Sequence, residues 1–153
     1  MHLDVKKTSA QKKLESTIRR SAKFHGHLGA FLVVGVRMGT LARRHLKNDL
    51  KEKFSLHATL KVPFRVPFSC TIDGVQVTTC CTVGNQRLSL ESSKGEIVGT
   101  FVADRSGEKL KVSVKPEIIK GLIRKITDEV SNEELAAQVS HMSDDQLFSI
   151  SRR

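Results

Sequence analysis

The chain has no tryptophan and no tyrosine, and only three cysteines and three prolines among its 153 residues. Without Trp or Tyr, and with few Phe near its basic runs, it offers poor platforms for stacking single-stranded bases. Cys70, Cys80 and Cys81 are odd in number and two are chain neighbours. That argues against a disulfide framework and for free thiols in a reducing compartment. No Cys-x-x-Cys pair occurs, which excludes a zinc ribbon and a thioredoxin-type motif. A Walker loop, a Gly-x-Gly-x-x-Gly turn, a nucleophile elbow and a His-Glu-x-x-His helix are missing too. The longest apolar run, Leu28 to Val36, is interrupted by Gly29 and Gly35 and stopped by Arg37. It falls far short of the ~20 apolar residues that span a bilayer, so no membrane association is expected. No apolar stretch follows the charges of MHLDVKK; neither a secretory signal nor a transit peptide is expected, and the expected location is cytoplasmic.

What is present suits one core. With 39% hydrophobic and 27% charged residues, the chain reads as a single domain over 1–153, with its core at about 9–127 and short helices over 128–153. The net charge of +10 is unevenly spread. Met1 to Arg65 carries fifteen Lys or Arg against four Asp or Glu, and the remainder is nearly balanced. Such a half can attract nucleic acid, an acidic protein or a phosphorylated ligand, or be only a solvated set of helix faces.

Leu14, Ile18 and Ala22 recur at four-residue spacing among Lys12, Lys13, Arg19 and Arg20, predicting an amphipathic helix over Ser9–Lys23. A second helix is expected from Ala30 to about Lys47, apolar all round at first and later one-sided. Gly35 and Gly39 lie one turn apart on it, inviting a close neighbour. Leu56 to Phe68, with Pro63 and Pro67, suggests one or two extended segments at a sheet edge. Asp73-Gly74 reads either as a hairpin turn or as part of a helix from about Asp73 to Cys80. Arg87–Glu91, Glu96–Ala103 and Lys109–Val114 are β-rich and separated by turns, as in an antiparallel meander. Pro116 opens a helix with an apolar stripe, and capping boxes at Ser131/Glu134 and Ser143/Gln146 announce two short terminal helices. The expected fold class is α+β: N-terminal helices, a mainly antiparallel sheet and C-terminal helices in one domain.

His25 and His27 flank Gly26, a residue that lets two imidazoles converge on one point. Imidazole nitrogen is the commonest protein ligand of zinc and its neighbours, and thiolate from Cys70, Cys80 or Cys81 can complete a mixed set. Such sets favour Zn²⁺, Ni²⁺, Co²⁺ or Fe²⁺ over Mg²⁺ or Ca²⁺. Adjacent Cys80 and Cys81 do not readily aim at one point, so at most one of them is expected to face a site. All three can equally be small buried hydrophobes. Asp73 reads as a ligand, as a partner of a histidine, or as a turn residue. His2, His45, His57 and His141 read as surface residues.

The segments FHGHLGAFLVVGVRMG (Phe24 to Gly39) and CTIDGVQVTTCCTVG (Cys70 to Gly84) together resemble the FmdE family, named for a component of formylmethanofuran dehydrogenase. The first carries a Phe-His-Gly-His element and the Gly35-Val36-Arg37 step; the second carries Cys70, Asp73 and Gln76, then Thr79, Cys81 and Thr82. The resemblance implies a transition-metal site, zinc first with nickel or iron as alternatives, on His27 and Cys70 and then His25 and Cys81. It also implies a homodimer and an association with a molybdenum or tungsten metalloenzyme or one-carbon metabolism. The chain also departs from the family pattern. Gly29 and Ala30 occupy positions where many members have cysteine and proline, and Cys80 stands where glycine is common. Many members also carry a cysteine-rich zinc ribbon at the carboxyl end, whereas residues 128–153 hold no cysteine and read as helices. The competing readings are a metal-dependent enzyme with an open catalytic site and a basic nucleic-acid-binding module.

Overall fold

Thr8 starts the first helix. Its hydroxyl accepts from the Gln11 N–H while the Gln11 side chain accepts from the Thr8 N–H, so two otherwise orphaned donors are satisfied at the start of α1 (Ser9–His25). The computed structural model describes residues 6–47 and 55–153; His2 lies outside them. Gly26 ends α1 at φ +102, a left-handed conformation suited to glycine, and its N–H bonds the Ala22 carbonyl. Four residues later the chain enters α2 (Ala30–Leu46), which is buried through its first half and becomes one-sided toward Arg43 and Arg44, as its sequence predicts.

The chain continues through β1 (Leu56–Val62), α3 (Cys70–Thr79), β2 (Leu88–Ser92), β3 (Val98–Ala103) and β4 (Lys109–Val114). Then come α4 (Pro116–Thr127), α5 (Asn132–His141), α6 (Asp144–Leu147) and β5 (Phe148–Arg152). The five strands form one sheet in the order β2-β1-β3-β4-β5. All pairs are antiparallel except β1 with β2. The fold class is α+β, with N-terminal helices, a mainly antiparallel sheet and C-terminal helices in one domain.

Three local expectations are corrected. β1 lies inside the sheet rather than at its edge, because Pro63 falls just beyond its last residue and removes no ladder donor. The strand at Arg87–Glu91 does not join a meander: α3 carries the chain across, so β2 runs parallel to β1 on the far side from β3. A terminal strand, β5, pairs with β4 from Val114–Phe148 to Leu110–Arg152 and closes the other edge. The ambiguity at Asp73-Gly74 resolves to helix α3.

The core lies between the sheet and α2, where Phe31, Met38 and Leu41 meet Leu56, Leu60, Phe101 and Leu110, all at most 1% exposed. Helices α2 and α3 pack backbone against backbone. A Cβ built on Gly35 would stand 2.1 Å from the Thr71 carbonyl oxygen, and one on Gly74 2.4 Å from that of Leu32. Arg37 ties α2 to the end of α5 and the start of α6: it donates to the Val139 carbonyl at 2.9 Å, the Ser140 carbonyl at 3.3 Å and Asp144 Oδ1 at 3.1 Å.

Candidate metal centre

The close α2–α3 packing presents the N-terminal turn of α3 to the chain reversal at Gly26. There His25, His27 and Cys70 converge, with one potential ligand atom from each residue all lying within 4.8 Å of one another. Glycine contributes here through its left-handed conformation rather than through looseness. His25 is the last residue of α1 and His27 follows the reversal, so the rings face each other with centroids 4.5 Å apart.

The two histidines differ in what holds them. His25 Nδ1 bonds Asp73 Oδ2 at 2.5 Å, which leaves Nε2 as its remaining ring nitrogen; that atom is buried and has no hydrogen-bond partner among the described residues. Buried polar atoms are nearly always satisfied, so an orphaned imidazole nitrogen beside a thiol is the signature of a place for a ligand. His27 is exposed and Cys70 is buried.

Asp73 is itself held. Its Oδ1 accepts from Gln76 Nε2 at 3.1 Å, and Gln76 Oε1 accepts the Val83 N–H at 3.1 Å. Cys70, Asp73 and Gln76 are three residues apart, so one helix face carries the thiol, the carboxylate that orients His25 and the amide that orients the carboxylate. A carboxylate on the far nitrogen of a ligating histidine fixes its tautomer and raises its basicity. Of the readings open for Asp73, the geometry selects partner of a histidine. Gln76 was legible only as a motif position; its partners stand three residues before it and seven after it, in α3 and the turn that follows.

Burial pushes the Cys70 thiol above its ordinary range, and the nearby Asp73 carboxylate adds to the shift. A metal bound through this sulphur would have to displace the thiol proton. The donor set fits the class of ion expected: two imidazoles and one thiol are the ligands of zinc and its borderline neighbours. From zinc–nitrogen and zinc–sulphur bond lengths, donors in a tetrahedral zinc site stand about 3.3–3.6 Å apart.

Cys81 is placed elsewhere. It is 1% exposed and its Sγ donates to the Leu56 carbonyl at 3.2 Å, against β1 and outside the cluster. Burial raises its thiol pKa as well. Cys80 caps α3 in a left-handed conformation, φ 59, which is why a glycine suits that position. His57 pairs with Asp104 on the surface, and His141 is exposed.

Known proteins share both the sequence pattern and the fold. A "Probable S-adenosyl-L-methionine-binding protein" of Archaeoglobus fulgidus is 30% identical over 122 residues; the match takes in 80% of this chain but only 33% of that protein, so the chain spans about a third of its length. Among solved structures, the crystal structure of a tungsten formylmethanofuran dehydrogenase FmdE-like protein from Syntrophus aciditrophicus matches with a TM-score of 0.62. The identity is 19%, and the match covers 92% of this chain and 71% of the other, a likeness of fold. The family model described as "FmdE, Molybdenum formylmethanofuran dehydrogenase operon" matches residues 24–149, from the Phe-His-Gly-His element into the terminal strand, and the chain belongs to that family.

Proposed function

We propose that this protein binds one transition-metal ion, zinc in the first instance with nickel or iron as alternatives, through His25 Nε2, His27 and Cys70. The observation that carries the reading is the buried, partnerless Nε2 of His25, whose opposite nitrogen Asp73 secures and whose neighbours are a second imidazole and a thiol. When bound, the ion would supply Lewis acidity at a partly open position, since three protein donors leave room for a fourth. His25, Asp73 and Gln76 position the donor, and burial around Cys70 keeps water from competing at that side.

The exposed apolar side chains Phe24, Phe64, Val66 and Val83 all lie close in sequence to the site residues or are bonded to their partners. They support a homodimer whose interface lies beside the metal site. Membership of the FmdE family supports a role beside a molybdenum or tungsten metalloenzyme or in one-carbon metabolism. Three free thiols suit a cytoplasmic setting, and no helix among the described residues is long and apolar enough to cross a membrane. A second reading, a metal-dependent enzyme, is favoured by the exposure of His27, which leaves one side of the site accessible to a substrate.

Elemental analysis of tag-free protein purified without chelator tests the metal directly. One metal per chain, absent from His27→Ala and Cys70→Ala but retained in Cys81→Ala, is expected. No metal in the wild type, or metal lost only in Cys81→Ala, refutes the assignment. Light scattering of the holo-protein decides the homodimer.

A further inference from the structure

A cavity of about 800 Å³ lies on another side of the molecule, bounded by α1, α2, the end of α3 and the α5–α6 junction. Thr78 on its wall is eight residues along α3 from Cys70, a displacement of about 12 Å at helical rise, so the cavity is separate from the metal centre.

Its lining is cationic from two directions. On α1, Lys13, Thr17 and Arg20 fall at four- and three-residue spacing and share one face. On α2, Arg37, Thr40, Arg43 and Arg44 do the same. Asp144 is the one carboxylate that the described residues place on the wall, and it is engaged by both Arg37 and Arg44. Arg43 gives one nitrogen to the Thr79 carbonyl at 3.0 Å, capping α3, and among the described residues Arg20 reaches only the Thr17 hydroxyl, at 3.5 Å. The Lys13 carbonyl accepts from the Thr17 hydroxyl, but its ammonium group has no hydrogen-bond or ion-pair partner among the described residues.

Five cations against one carboxylate leave a concavity with positive charge facing itself across α1 and α2. Opposed like charges disfavour the packed state, and a concave low-dielectric wall concentrates their field. A solvated basic face would point its charges away from one another. The other α1 cations, Lys12, Arg19 and Lys23, do not line the cavity; exposure does not set them apart, because Lys13 and Arg20 are exposed as well. Thr40 and Ser143 add hydroxyls at the wall.

We infer that this cavity binds a small anion bearing at least two linked phosphates, held between the Lys13–Arg20 face of α1 and the Arg43–Arg44 end of α2. The volume is that of a site for one small molecule. No aromatic side chain among the described residues lines it, so recognition runs through the phosphates and is indifferent to any base attached to them. Lys13 and Arg20 are the ligand-facing cations, while Arg37 serves the fold.

The probes are sodium pyrophosphate, ATP and a short single-stranded RNA, titrated calorimetrically into the full chain. Pyrophosphate is expected to bind once per chain, with ATP within a few-fold of it and both weakening as salt rises. Lys13→Gln with Arg20→Gln is expected to weaken both on the order of tenfold or more. Lys12→Gln with Arg19→Gln, which removes the same charge from the outer face of the same helix, leaves binding unchanged. If the Lys13/Arg20 pair does not fold, Lys13→Gln alone serves, since that side chain has no protein partner among the described residues. Cys70→Ala retains pyrophosphate binding, because the anion is not held through a metal. Failure of pyrophosphate to saturate, equal losses in the two double variants, loss in Cys70→Ala, or binding of RNA without pyrophosphate would each overturn the inference.

Discussion

Replacing Gly74 by alanine sets two effects of opposite sign against each other, and the structure says which wins. In an α-helix the change normally stabilises by about 1 kcal/mol, because glycine loses more backbone freedom on folding. The new methyl, however, would stand 2.4 Å from the Leu32 carbonyl oxygen, 2.6 Å from the Val36 nitrogen and 2.8 Å from the Gly35 carbonyl carbon. All three are backbone atoms of a buried helix and cannot swing aside. Relief requires α3 to move off α2, and overpacking of this kind typically costs about 1–3 kcal/mol, sometimes more. Contacts this short against main chain put Gly74→Ala at or beyond the upper end. A net loss of about 2 kcal/mol follows, lowering Tm by about 4–8 °C in a chain of this length. Gly121 supplies the control: it is also helical, in α4, and a Cβ there meets nothing within 4 Å. Gly121→Ala is expected to raise Tm by about 1–4 °C. Thermal unfolding of the two variants by circular dichroism reads both signs. A neutral or stabilised Gly74→Ala would refute the claim that backbone contact between α2 and α3 sets the position of Cys70 and Asp73.

Three further outcomes are expected. Asp73→Asn keeps a hydrogen-bonding shape but removes the charge behind His25, so zinc affinity in a chelator competition should fall about 10–100-fold with little loss of fold. An unchanged affinity would mean that His25 does not ligate. Arg37→Met leaves the Val139 and Ser140 carbonyls and Asp144 without a shared donor and should cost about 2–3 kcal/mol in urea unfolding; a loss under about half a kcal/mol would contradict the clamp between α2 and α5. Burial is the largest single influence on Asp104 and pushes its carboxyl up, but the hydrogen bonds and positive charges of His57 and Arg87 together outweigh it and hold the carboxyl below the ordinary value. A depressed folded pKa means stability present above about pH 4 and lost as pH falls through the folded value. The urea midpoint of the wild type should therefore drop more between about pH 5 and about pH 2.5 than that of Asp104→Asn, and parallel drops would refute the assignment.

The helical part of this fold was readable because its signals are local. Leu14, Ile18 and Ala22 mark the half-buried side of α1, Pro116 starts α4, and Ser143 with Gln146 builds a real capping box. The strands were readable as strands but not as a sheet. Nothing within Leu88–Ser92 says that α3 will deliver it parallel to β1, and Phe148–Arg152 acquires strand character by pairing with β4, well after the sheet seemed finished.

The site divides along the same line. His25, His27 and Cys70 pointed to a metal-binding chemistry by residue type and motif, and the left-handed Gly26 that brings the two rings together is a local property of the sequence. Separating Cys70 from Cys81 was beyond it, because both are small buried thiols near one helix, and only packing sends one toward His25 and the other to the Leu56 carbonyl. Asp73 likewise had three readings until α1 and α3 met. Sequence by itself determined the donor chemistry, the helices and the uneven charge, since these depend on residues a few positions apart. Tertiary structure alone decided the strand order, which thiol faces the histidines and which cations face one another, since those depend on how far-separated segments pack, and burial there removes the water that would otherwise satisfy each group.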